Sequence, residues 1–207
     1  PELMPMIFTV ALARAARRMT RKKVLVKQLS AIEDMGSIKI LCSDKTGTLT
    51  EGEIILDRHV DISGVDSEDV LRYVYLNSYF EAGIRSPLDD AVLKHDPPGI
   101  AGFRKLDEIP FDFQRKRLSV VVDSAAGRQL LSKGEVESIL SVCTRVVDRG
   151  TTVELEAAMR EQALQTFRSL SAEGFRTLGV AVADVPARDS YTAEDEREMT
   201  LVGFAAF

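Results

Sequence analysis

The chain has 207 residues, 45% hydrophobic and 29% charged, which is enough apolar material to bury a core and argues against a disordered tail. Lys plus Arg number 27 against 32 Asp plus Glu, and the net charge of −5 argues against a general nucleic-acid binder, which needs a basic surface to displace counterions from phosphates. Two cysteines, Cys42 and Cys143, are too few for a disulfide framework or a four-thiolate zinc site, and a reduced, cytosolic setting fits them.

The first expected element is one helix over residues 1–23, rich in Ala, Met, Leu and Arg after Pro5. Its apolar part, residues 4–13, is ten residues long and contains Pro5 and Thr9, whereas a bilayer span takes roughly 20. It is not a signal peptide, because the positive charges follow the apolar run. Residues 14–27 carry seven basic side chains (Arg14, Arg17, Arg18, Arg21, Lys22, Lys23 and Lys27) and no acidic ones. Such a run has the form of the cytoplasmic end of a transmembrane helix, and an amphipathic surface helix would read equally well. The chain starts at Pro1 without Met and closes on Leu-Val-Gly-Phe-Ala-Ala-Phe, which reads as a piece excised from a longer protein.

Residues 24–26 read as a short strand, 28–35 as a short helix stopped by Gly36, and 38–42 (Ile-Lys-Ile-Leu-Cys) as a buried strand with Cys42 as a small core residue. That strand empties into a polar, Gly-containing loop, where α/β proteins place their chemistry. Strand character returns over 53–62, then helices over 66–82 and 88–95. Residues 106–111, 117–123 and 128–132 read as successive antiparallel strands, 135–142 and 154–171 as helices, and 177–183 as a strand. Residues 186–198 read as a charged loop or short exposed helix, and 201–207 as a buried strand. The simplest organisation is an inserted α+β domain, 53–199, interrupting an α/β domain. His59 and His95 have no Cys or His cluster near them in sequence and read as surface residues.

The loop reads Asp44-Lys45-Thr46-Gly47-Thr48-Leu49-Thr50. An ionised aspartate after a buried strand can attack phosphorus when a metal offsets the phosphate oxygens. Lys45 adds positive charge, Gly47 permits a tight bend, and the Thr46 and Thr48 hydroxyls can bond phosphate oxygens. Loose Ser, Thr, Gly and Asp residues usually only make turns, but all seven positions here match one motif.

This motif resembles the phosphorylation sequence of the P-type cation-transporting ATPases, and the rest of the chain follows their arrangement. The resemblance implies 1–23 as the cytoplasmic end of a transmembrane helix and its stalk, and 24–52 as the first part of a phosphorylation domain. It further implies 53–199 as a nucleotide-binding domain with an antiparallel sheet, inserted into a haloacid-dehalogenase-like parallel-sheet domain to which 200–207 returns. It assigns Asp44 as the residue phosphorylated by ATP, with Lys45 beside it and the Thr46 carbonyl helping Asp44 hold a catalytic Mg2+. Soluble haloacid-dehalogenase phosphatases, the rival reading, carry an aspartate general acid–base two residues after the nucleophile. Thr46 stands there instead and cannot shuttle a proton near neutral pH.

Neither G-x-x-x-x-G-K-[ST] nor G-x-G-x-x-G occurs, so nucleotide must be held another way. Phe111-Asp112-Phe113-Gln114-Arg115-Lys116-Arg117 offers aromatic faces beside cations, which suits a base and its phosphates and equally suits an ordinary strand. The resemblance implies Phe111 as the adenine-stacking residue, with Phe113 the alternative register, and Arg115 and Lys116 as nucleotide contacts. It places Lys133 at the back of the adenine pocket, with Gly134 allowing close approach, although Glu135 stands where the family usually has Ala. Arg176 matches the arginine that reaches the phosphates. Asp89 matches an acidic residue facing the adenine amino group, and helix capping would explain it as well. Pro1-Glu2-Leu3-Met4-Pro5-Met6 and the basic stretch resemble the bacterial magnesium-transporting subfamily, with calcium and proton pumps as fallbacks. ATP, Mg2+, the transported cation and the remaining transmembrane and actuator domains are the implied partners, at a bacterial inner membrane.

Overall fold

The computed structural model describes residues 3–28, 30–45, 52–83, 85–95 and 99–207, which fall into two compact units, Pro1–Glu53 and Ile54–Phe207.

In the first unit, α1 (Leu3–Arg21) carries Pro5 in its first turn, where a missing N–H costs nothing, and Arg18 and Arg21 in its last, where the helix dipole favours cations. Its Leu3, Met4, Met6, Ile7, Phe8 and Val10 side chains are exposed. A second helix, α2 (Ser30–Ser37), runs through Gly36 instead of stopping there. The strands expected at 24–26 and 38–42 do not form, and Ile38, Ile40, Leu41 and Cys42 are exposed. A strand needs a neighbour for its backbone N–H and C=O groups, and the described residues of this unit contain no other strand. The expected core position of Cys42 fails for the same reason.

The second unit is built on an eight-stranded sheet: β1 (Arg58–Val60), β2 (Arg104–Asp112), β3 (Arg117–Ser124), β4 (Gly127–Glu135), β5 (Cys143–Asp148), β6 (Thr151–Glu154), β7 (Thr177–Asp184) and β8 (Met199–Ala206). The order is β2-β3-β4-β7-β8-β5-β6, with β1 also paired to β8, and every pairing is antiparallel except β5 with β8. The strand at 200–207, expected to return to a separate domain, therefore lies inside this sheet: it pairs along β7 on one side and with β5 and then β1 on the other. Gly203, at φ +154, stands where β1 takes over, and a Cβ there would meet the Val60 carbonyl at 2.1 Å.

Helices α3 (Glu68–Phe80) and α4 (Pro87–Leu93) cover one face, and α5 (Val136–Val142) and α6 (Ala157–Ala172) the other. Leu76 of α3 packs towards Leu118, Val120, Val122 and Leu131, and Val70 and Val74 towards Val180, Val202 and Ala205, while Ile139, Leu140, Ala163 and Leu170 meet Val121, Leu130, Leu201 and Phe204. Because β3 is covered on both faces, its sequence is the unbroken Leu-Ser-Val-Val-Val rather than an alternation. Capping sets the α3 start, where the Ser67 side chain accepts from the Val70 N–H, and α4 opens with Pro87 behind a capping box of Ser86 and Asp89.

Candidate functional site

Strand register brings the expected nucleotide contacts to one end of the sheet. Asp112, Arg117, Gly134, Gly179 and Phe204 are successive partners across β2, β3, β4, β7 and β8. Phe111 and Lys133 each lie one residue from that row, and Arg176 immediately precedes β7 at the same end, its backbone exchanging two 3.0 Å hydrogen bonds with Phe207.

Local chemistry builds the β2–β3 turn. Asp112 Oδ1 accepts from the Gln114 and Arg115 N–H groups at 2.9 and 2.8 Å, and the Lys116 N–H closes onto the Asp112 carbonyl at 2.6 Å. Those bonds to backbone N–H groups, the Arg115 one foremost, hold the Asp112 carboxyl below its usual range. Lys116 takes φ 52, unusual for a residue with a side chain, and its ammonium pairs with Glu135 at 2.9 Å, which raises its pKa. The turn lies directly on Gly134, where a Cβ would stand 2.5 Å from the Lys116 carbonyl and 2.5 Å from Arg117 Cβ. Close approach does require this glycine, but the approaching atoms belong to the turn itself. On the rim, Phe111 is 51% and Phe113 88% exposed, edge to face with centroids 5.3 Å apart.

Behind the turn sits an enclosed ion cluster. Lys133 is 8% exposed, and its Nζ donates to Ser78 Oγ at 2.9 Å, to Glu81 at 3.0 Å and to Asp89 Oδ1, which uses all three of its protons. Asp89 Oδ1 also accepts from Ser78 Oγ at 2.9 Å, while Oδ2 accepts from the Ser86 N–H and hydroxyl at 2.9 and 2.6 Å. With both oxygens doubly occupied, Asp89 has no acceptor left for an adenine amino group. In this structure Asp89 caps α4 and orients Lys133. Burial alone would raise the Asp89 carboxyl, but Lys133 and the Ser86 bonds outweigh it and leave it lowered. Glu81 goes the other way, raised chiefly by burial, with Asp89 and Glu108 adding to the rise against the pull of Lys133.

Arg115, expected as a nucleotide contact, is committed inside the protein. Its Nη1 donates to both oxygens of Glu196 at 2.7 Å and its Nη2 to the Pro110 carbonyl at 2.7 Å. Arg176 is exposed, and its guanidinium makes no hydrogen bond or ion pair among the described residues. Sequence reasoning missed Glu81 and Glu196. Both are polar residues at the ends of their segments, and their partners lie 52 and 77–81 residues away, so no local signal marks them. The stretch 186–198 is accordingly not all exposed, since Glu196 is 2% and Tyr191 6% exposed.

In the first unit, Asp44 and Lys45 are exposed at the end of the irregular segment, and the Ser43 hydroxyl donates to the Asp44 carbonyl at 3.2 Å. Thr46 and the rest of the motif, 46–50, lie outside the described residues. Among the described residues no group of three or more His, Cys, Asp or Glu forms a metal site. Asp44 alone fits Mg2+ only as one carboxylate donor, which is how this ion is commonly held when phosphates and water complete its shell.

Comparison with known proteins gives the class of this domain. The family described as P-type ATPase, cytoplasmic domain N, matches residues 92–207, and the chain belongs to that family. Over its full length it is 42% identical to the magnesium-transporting ATPase, P-type 1, of Escherichia coli (strain K12), covering 24% of that protein. It is 43% identical to the protein of the same name from Salmonella typhimurium (strain 14028s / SGSC 2262), again over 100% of this chain and 24% of that protein. Similarity to the calcium-transporting ATPase 1 of Bacillus cereus (strain ATCC 10987 / NRS 248) is 28%, over 87% of this chain and 23% of that one. The chain thus spans about a quarter of the length of these relatives.

Proposed function

We propose that this chain is the ATP-binding and phosphoacceptor portion of a P-type ATPase that moves Mg2+ across a bacterial inner membrane, with the described units on the cytoplasmic side. ATP docks at the Phe111 end of the sheet, its adenine against the Phe111 ring, Lys133 and Gly134 behind it, and Lys116 and Arg176 towards the phosphates. Asp44 attacks the γ-phosphorus, an acyl phosphate forms on its carboxylate as the bond to ADP breaks, and Lys45 offsets the negative charge gathering there. Mg2+, held by Asp44 and the Thr46 carbonyl, would supply charge neutralisation for the transferring group. No helix among the described residues is long and apolar enough to cross a membrane.

The observation that carries this reading is the convergence of a half-exposed Phe111, an unengaged Arg176 guanidinium and the Lys133 cluster on one sheet end of a domain belonging to this family. Magnesium is favoured over calcium by the 42% against 28% identity of the two kinds of relative. An ATP titration followed by amide NMR shifts tests it. Saturable shifts should cluster at 110–117, 133–134 and 176 and vanish in Phe111→Ala and Lys133→Ala. A folded sample with no saturable shift at millimolar ATP overturns the pocket.

A further inference from the structure

Glu196 is a buried carboxylate that the site described above does not use. Its side chain is fully enclosed, and it receives four hydrogen bonds from charged or hydroxyl donors. Both oxygens accept from Arg115 Nη1 at 2.7 Å, Oε2 also from Arg117 Nε at 2.7 Å, and Oε1 also from Ser119 Oγ at 2.6 Å. The donors all come from the β2–β3 turn and the first residues of β3. The grip extends further through those donors. Arg115 reaches back to the Pro110 carbonyl at 2.7 Å, immediately before Phe111. Arg117 Nη1 donates to Ser138 Oγ at 3.0 Å, and that hydroxyl donates in turn to the Arg115 carbonyl. Ser119 shares a hydrogen bond with Ser132, the neighbour of Lys133.

The bonds that Asp112 makes fix the internal shape of the turn, but they are local and leave its tilt against the sheet open. Glu196 supplies that from a segment 79–81 residues away. The charges make the dependence strong. Arg115 and Arg117 side chains are 21% and 11% exposed and both face this one carboxylate, so without it two poorly hydrated guanidiniums lose the carboxylate they share. The turn would relieve that by swinging towards water, and it would carry Phe111 and Lys116 with it.

We propose that Glu196 is a positioning residue for nucleotide binding: through Arg115 and Arg117 it sets the place of the turn that presents Phe111 and Lys116. This inference rests on the reading that ATP uses those two residues.

The test uses the 207-residue chain as it stands. ATP affinity and the nucleotide-free amide spectrum are measured for wild type, Glu196→Gln, Lys116→Ala, the double variant, and Leu170→Ala as a destabilising core change on α6 away from the turn. Glu196→Gln keeps the shape and removes the charge. It should weaken ATP about tenfold, shift the amides of residues 110–117, and abolish most of the effect of Lys116→Ala in the double variant, because coupled residues are not additive. Leu170→Ala should leave ATP affinity within about twofold of wild type, which separates positioning from general loss of stability. If Glu196→Gln does not fold, Arg115→Lys keeps the charge but loses the fork and should weaken ATP in the same way. Wild-type affinity in Glu196→Gln, or independent effects of Glu196→Gln and Lys116→Ala, would overturn the proposal. A wild type that does not bind ATP overturns the ATP reading instead, and the 110–117 shifts then still report whether Glu196 holds the turn.

Discussion

The Asp89 carboxylate does two jobs at once: Oδ1 pairs with the buried Lys133 ammonium, and Oδ2 closes the capping box of α4 through Ser86. One side chain therefore locks the start of a helix to the last residues of β4, and Ser78 of α3 and its C-cap Glu81 complete the shell of the lysine.

Removing the two carboxylates should have unequal effects. Asp89→Asn keeps an oxygen for Ser86 but leaves Lys133 with one acid, and should cost about 2–4 kcal/mol at pH 7 in urea unfolding. Glu81→Gln should change stability by less than about 1 kcal/mol, because burial already disfavours its charge. The pH dependences have opposite signs. Asp89 is lowered in the fold, so its contribution is present above 3.8 and lost as pH falls through the lower folded value, and the gap between wild type and Asp89→Asn closes there. Glu81 is raised in the fold, so wild type loses stability relative to Glu81→Gln as pH climbs past 4.5. Equal losses for both variants across this range would refute the assignment.

Gly134→Ala should be among the most damaging small substitutions in the domain. Its new methyl would stand 2.5 Å from the Lys116 carbonyl and 2.7 Å from Arg117 Cα, and backbone atoms tied into a strand cannot move aside as a flexible side chain can. A loss of about 2–4 kcal/mol is expected, with the amides of the 112–117 turn displaced in the NMR spectrum. A variant as stable as wild type with an unmoved turn would contradict this packing.

What could be read from sequence follows the range of the interactions. Helices α3 and α4 announce themselves through Ser67, Ser86 and Pro87, which act within one turn, and β3 through its three consecutive valines, whereas the apolar residues of β2 and β4 are interrupted by charged and polar ones. The hairpin of β5 and β6 was missed although its signal is local: Arg149 and Gly150 both take positive φ, the two-residue turn that fits a right-twisted hairpin, between Val146-Val147 and Val153. The segment 38–42 failed in the opposite sense, since Ile-Lys-Ile-Leu-Cys has strand composition, but composition cannot supply a pairing partner. Motif resemblance singles out Phe111, Lys116 and Lys133, but the internal bonds of Asp89 and Arg115 carry no sequence signal, because their partners arrive only with the tertiary fold.

The two cysteines should react very differently. Cys143 is 3% exposed, and burial pushes its thiol up to about 12, so almost no thiolate is present at pH 8. Cys42 is exposed. Iodoacetamide at pH 8 should add one label to the native chain, located at Cys42 by mass spectrometry, and a second only after denaturation. Native labelling of Cys143 would show that β5 opens readily.

Phe111 and Phe113 provide the last discrimination. Both rings are largely in water, 51% and 88% exposed, so replacing either with Ala should alter stability by no more than about 0.5 kcal/mol. Their effects on ATP should nevertheless diverge. Phe111 precedes Asp112 on β2 and lies next to the Pro110 carbonyl that Arg115 holds, so its ring has a supported base. Phe113 lies within the turn and touches Phe111 only by its edge. A stacked base is worth about 1–3 kcal/mol by alanine substitution, so Phe111→Ala should weaken ATP by roughly tenfold or more, and Phe113→Ala by about threefold at most. Isothermal titration of both variants decides the register. A larger loss in Phe113→Ala would move the adenine to the outer ring and make Phe111 its backing.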